Sequence, residues 1–193
     1  LIEQTADTYF YQGSRMVYDG AGNLYFLRQY SDYVNYLYKY NIAGKVWTSL
    51  RRLPDGLVPG SNMSLTYHSA NNRMYALLYR DSGLAEYNPA TDLWDYSTLS
   101  DPPETIDYGA IASAGAYLYV LRGTLTGRFW RFDPSADVWT ALADVPEAAG
   151  DGTALCYPGS GDYIYAVKGD HDAAFWRYSI INDTWTAMAD TLS

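Results

Sequence analysis

Apolar and polar positions in this chain alternate with a period of two over short stretches, the spacing of a pleated strand rather than a helix. In "FWRF" the alternation puts Phe129 and Arg131 on one sheet face and Trp130 and Phe132 on the other. Around it the segments "YGAIASA", "YLYVLR", "RFWRFD" and "VWTALAD" read as four consecutive strands, punctuated by Gly, Asp, Pro and Ser turns. The same unit recurs. A tyrosine sits inside a short apolar strand at Tyr25 ("LYFL"), Tyr75 ("MYAL"), Tyr119 ("LYVL") and Tyr165 ("IYAV"). Further on in each copy an aromatic precedes a tryptophan by seven residues: Tyr40 and Trp47, Tyr87 and Trp94, Phe132 and Trp139, Tyr178 and Trp185. The tryptophans lie 47, 45 and 46 residues apart, which predicts four units at about 14–53, 61–102, 107–146 and 152–190 of a single domain, 1–193.

A four-stranded unit of about 45 residues cannot bury both of its faces alone, so neighbouring units must stack face to face. The expected fold class is therefore all-β: a β-propeller of four four-stranded blades. The hairpins "NIAGKV", "NPATDL", "DPSADV" and "SIINDT" before the tryptophans supply its tight reversals. These units resemble the kelch repeat over residues 14 to 190, with the tyrosine-bearing second strand, the strand ending on an aromatic, and the tryptophan seven residues later. The double glycine of that repeat is eroded, the aligned pairs being Gln29-Tyr30, Tyr79-Arg80, Gly123-Thr124 and Gly169-Asp170. The resemblance implies a protein-binding or scaffolding propeller. It also brings in copper oxidases, whose tyrosine-cysteine cofactor and histidine ligands two histidines and one cysteine do not match. Each blade is contiguous in sequence, so a closed four-bladed ring is expected, with an open arc completed by another subunit as the alternative.

Composition narrows the function. The 21 Tyr and 6 Trp favour strands, and no apolar run approaches the roughly 18 residues of a membrane-spanning helix. A formal charge of -9 argues against nucleic acid, which needs concentrated Lys and Arg to displace counterions. Cys156 stands alone, which excludes an internal disulfide, and it is expected as a small buried strand residue. A tyrosine-rich, Asp-rich, thiol-poor composition points to an extracellular or cell-surface setting, while the start at Leu1 fits equally a product whose export signal was removed or a fragment.

Two aligned registers hold six of the 13 basic residues: Lys39, Arg131 and Arg177 in the third strands, with Glu86 at the remaining position, and Arg28, Arg122 and Lys168 at the ends of the second, with Leu78 at the remaining one. They read either as a positive ring for an anion or a carboxylate-bearing partner, or, preferentially, as inter-blade salt bridges to loop aspartates. The variable loops "RQYSDYVNY", "YRDSG", "RGTLTG" and "KGDHDA" add Tyr30, Tyr33, Arg80 and His171 to Arg28, Arg122 and Lys168 as candidate binding residues, the tyrosines for their large amphipathic contact area. His171 between Asp170 and Asp172 is too sparse a donor set for a metal, and "DGAGN" at Asp19 to Asn23 reads as a hairpin turn. His68 is expected at an exposed strand end. Asp92, Asp137 and Asp183 are explained by turn formation, and no nucleophile, phosphate-loop or acid-base constellation stands out. The functional expectation is a non-catalytic, cofactor-free extracellular propeller that binds protein, chiefly copies of itself. The alternative is a carbohydrate-binding or carbohydrate-active propeller using carboxylates at the ring mouth.

Overall fold

The computed structural model describes residues 14–31, 34–54, 64–78, 83–123 and 125–190. Sixteen strands form four sheets, each an antiparallel meander of four neighbours in chain order. Blade 1 holds β1 (Arg15–Tyr18), β2 (Asn23–Ser31), β3 (Val34–Asn41) and β4 (Val46–Ser49). Blade 2 holds β5 (Ser64–His68), β6 (Arg73–Leu77), β7 (Leu84–Asn88) and β8 (Leu93–Asp95). Blade 3 holds β9 (Ala110–Ala114), β10 (Tyr117–Leu121), β11 (Phe129–Asp133) and β12 (Val138–Ala141). Blade 4 holds β13 (Ala154–Cys156), β14 (Tyr163–Gly169), β15 (Asp172–Ser179) and β16 (Thr184–Ala187). No described helix is long and apolar enough to cross a membrane.

The seven-residue spacing is a register. It places Tyr40 opposite Trp47, Tyr87 opposite Trp94, Phe132 opposite Trp139 and Tyr178 opposite Trp185 on the last two strands of each blade. Their ring centroids are 4.9, 5.1, 4.7 and 5.1 Å apart, within the range where aromatic pairs add to area burial. Each hairpin between them turns through a residue in the left-handed region: Lys45, Asp92, Asp137 or Asp183. "DGAGN" is a turn as expected, with Asp19 Oδ1 accepting from the backbone N–H of Ala21 and Asn23.

Alternation gives every blade two apolar faces, and three clusters of buried side chains cover them pairwise. Tyr25, Leu27 and Leu37 of blade 1 meet Met74, Ala76, Tyr87 and Trp94 of blade 2. Tyr75, Leu77 and Leu84 meet Leu118, Val120, Trp130 and Phe132, and Tyr119, Leu121 and Phe129 meet Ile164, Ala166, Trp176 and Tyr178. Phe129 and Trp130 thus enter different cores, as their alternation requires. The first strands of consecutive blades touch, β1 with β5, β5 with β9 and β9 with β13, and together they border a central cavity of about 300 Å³. The two glycines that survive from the double-glycine position are explained by close approach. A Cβ at Gly123 would collide with the Tyr108 carbonyl, and one at Gly169 with the backbone of Asp151 to Thr153, the segments that lead into β9 and β13.

Among the described residues the four sheets are consistent with a four-bladed propeller, and no buried cluster joins blade 4 back to blade 1. His68 ends β5, as expected, but is buried rather than exposed: it is only 2% exposed, its Nδ1 2.9 Å from Asn71 Oδ1 and its ring edge-on to Tyr75. Cys156 is exposed rather than buried, because it lies on the same face as Tyr165, which none of the described blades covers.

If paired faces stabilise the array, a cavity cut into one seam should be costly. Leu118→Ala, at a fully buried position between blades 2 and 3, is expected to lower unfolding free energy by about 2–5 kcal/mol in denaturant titration.

Candidate functional site

The inter-blade seams are built by one repeated polar device at their rim. The indole N–H of Trp94 donates to the carbonyl of Arg51 at 3.0 Å, that of Trp139 to Ser100 at 2.9 Å, and that of Trp185 to Ala143 at 2.8 Å. The backbone N–H of each of those linker residues donates in turn to the aspartate two residues before the tryptophan. Arg51 bonds Asp92, Ser100 bonds Asp137 and Ala143 bonds Asp183, all at 2.8 Å. Tyr87 and Tyr178 brace the first and third of these carboxylates with their hydroxyls, at 2.7 and 2.8 Å. Burial, then the hydrogen bond to the aspartate, pushes both phenols far above the ordinary tyrosine range, so they stay neutral donors. These aspartates do more than turn the chain. Their signal in the sequence was the constant offset of two from each tryptophan, with Lys45 as the single exception.

At the two ends of the array the device has no counterpart among the described residues. On blade 1 the face equivalent to the leading faces of blades 2–4 carries Met16, Tyr18, Phe26, Tyr38, Tyr40 and Trp47, with Met16 54%, Tyr18 51% and Trp47 38% exposed. Phe26, Tyr38 and Tyr40 all pack around the Trp47 ring, which makes this face a continuous aromatic platform. On blade 4 the opposite, trailing face presents Tyr165, Val167 and Phe175, each half-buried, although the matching residues of blades 1–3 are buried. Tyr165 and Phe175 stack there at 5.8 Å.

Two residues of the basic registers pair with carboxylates: Arg122 with Glu104 at 2.5 Å, and Lys168 with Glu147 at 2.7 Å and Asp172 at 2.5 Å. Those hydrogen bonds, Asp172's first, raise the Lys168 pKa above the ordinary lysine value. Asp172 is a loop aspartate of the kind expected, though of the same blade, and Glu104 and Glu147 of the inter-blade linkers are the other partners. Arg131 and Arg177 instead lie over the rings of Tyr117 and Tyr163 at 4.4 and 4.5 Å, while Glu86 pairs with Arg73. Arg28 and Tyr30 lie on β2, far along the strand from the Trp47 hairpin, and Tyr33 and Arg80 fall outside the described residues. His171 is an exposed turn residue with positive φ, as is Asp170 before it. Among the described candidate residues, Arg122 and Lys168 have separate carboxylate partners and share none.

The described residues form two concave features. Arg15, Ser64, Leu65, Ile111, Ala154 and Leu155 from the four first strands contribute to the wall of the central cavity, and burial depresses the Arg15 guanidinium below its ordinary pKa. Among its described lining residues there is one cation and no carboxylate. The other, of about 350 Å³, is lined by Gly83, Ile106 and the linker residues Asp101 to Thr105, and so includes Asp101 and Glu104.

No family profile matches the chain. Among solved structures it is similar to the one described as "Structure of YjhT", with a TM-score of 0.75 and 15% sequence identity. The likeness covers 96% of this chain and 67% of that one. At this identity it is a likeness of fold, and the fold is propeller-like.

The seam bonds carry a pH signature. The Ser100 N–H, then its hydroxyl, hold the Asp137 carboxyl below its ordinary 3.8. A depressed folded-state pKa contributes stability above 3.8 that is lost as pH falls through the folded value. Asp137→Asn is expected to reduce the acid dependence of the melting temperature below that pH, and Trp139→Phe, which removes the indole donor, to cost about 1 kcal/mol at neutral pH.

Proposed function

We propose that this chain is a non-catalytic, extracellular kelch-type propeller that works as a protein-binding or self-assembling structural subunit. The observation that supports this reading best is the aromatic platform of blade 1. Solvent-facing Met16, Tyr18 and Trp47 form a contiguous apolar patch of the kind that marks a protein interaction surface. A large ring such as Trp47, surrounded by Phe26, Tyr38 and Tyr40, supplies contact area at low entropic cost. The extracellular placement rests on the acidic, tyrosine-rich, thiol-poor composition.

Light scattering across a wide concentration range is expected to show particles heavier than the 21.7 kDa chain, and the same material is expected to be inert towards a glycan hydrolysis panel. A strictly monomeric particle argues against self-assembly, and glycan turnover would replace this reading with the carbohydrate-active one.

A further inference from the structure

We propose that the central cavity binds a small monocarboxylate with an apolar body, held by the Arg15 guanidinium. The internal repetition of the chain marks Arg15 as out of pattern. Arg15, Ser64, Ala110 and Ala154 are equivalent positions in the four blades, each opposite an aliphatic residue of the second strand: Leu27, Leu77, Leu121 and Val167. Three of the four are small, and the first strands converge on one cavity of about 300 Å³. The fourth brings a long cation to it. Alanine serves the position in blades 3 and 4, so the register itself does not ask for a charge.

Among the described residues that charge has no partner of opposite sign. Arg73, Arg122, Arg128 and Lys168 each pair with a carboxylate, whereas Arg15 donates from Nη1 to the neighbouring Ser14 carbonyl at 3.1 Å. A cation drawn out of water without a counter-ion costs stability, and burial depresses the Arg15 pKa with nothing to oppose it. The remaining guanidinium N–H groups form a planar fork that matches a carboxylate.

The rest of the wall defines what that carboxylate is attached to. Ser64 Oγ accepts the Ile111 N–H at 3.1 Å, which leaves its own hydroxyl hydrogen to donate. Thr153 gives its hydroxyl hydrogen to the Val167 carbonyl at 2.8 Å. One cation in the described lining matches one carboxylate and falls short of a phosphate dianion, and a chain of formal charge -9 repels polyanions further. Leu65, Ile111, Ala154 and Leu155 supply apolar surface for the remainder. A volume of about 300 Å³ is at the small end of ligand pockets, the size of an aryl or short alkyl acid rather than of a large cofactor. The site depends neither on the blade 1 surface nor on self-assembly.

Calorimetric titration of the intact chain with benzoate and hexanoate tests this, with benzamide as the uncharged analogue. Both acids are expected to bind one to one, and benzamide about tenfold or more weaker, the effect of losing a charge-assisted fork. Arg15→Gln is expected to weaken benzoate by a similar factor and to leave benzamide nearly unchanged. Arg15→Met separates a ligand-binding cation from a structural one. It removes an unpaired charge, so the melting temperature of the ligand-free chain is expected to hold or rise, while the added rise with benzoate disappears. A fall in that ligand-free melting temperature makes the guanidinium a structural group and overturns the proposal. Benzoate affinity unchanged by Arg15→Gln overturns it too, as does the absence of saturable binding of either acid at millimolar concentrations. Inorganic sulfate is the control for a bare anion site, and binding as tight as that of benzoate overturns the carboxylate assignment.

Discussion

A sheet of four strands with apolar side chains on both faces is not a stable object in water, and the architecture of this chain follows from that. Each blade has too little interior of its own to repay the entropy of ordering its strands, so its stability lies in the contacts with its neighbours. The array is held together at seams rather than within units. That is why the same tyrosine, aliphatic and tryptophan positions recur at every copy, and why they are dry where a neighbour exists and wet where it does not.

Apolar contact alone would allow blades to slide over one another. The rim bonds prevent this, since an indole N–H and an aspartate carboxylate clamp the carbonyl and N–H of a single linker residue. A linker threading between two blades would otherwise leave those backbone groups unsatisfied at a partly buried edge. The arrangement fixes which residue of one blade meets which of the next, giving each seam a defined register and direction. Direction is what makes the two faces of a blade different surfaces.

Much of the fold was legible because strand alternation and hairpin chemistry are local. The four-strand units, the separation of Phe129 from Trp130 and the turn at Asp19 are each dictated by residues a few positions apart. The candidate binding residues were less legible. Arg122 and Lys168 share a register in the sequence, but their partners Glu104 and Glu147 lie 18 and 21 residues away in linkers with no repeat pattern of their own. His68 looked like a strand end and is buried, because Asn71 and Tyr75 close over it from the next strand and turn. Cys156 looked like an interior residue by type and is exposed by position, on a face of blade 4 that none of the described blades covers.

The sequence by itself determined the blades: their number, their strands, which side chains share a face, and that both faces seek cover. Those properties depend on periods of two and about 46 residues, which are written along the chain. Only the tertiary structure decided which aspartates are clamps as well as turns, and which linker residue each tryptophan holds. Both depend on what lies across a seam, a distance of some 40 residues in sequence and a few ångströms in space, which no local pattern encodes.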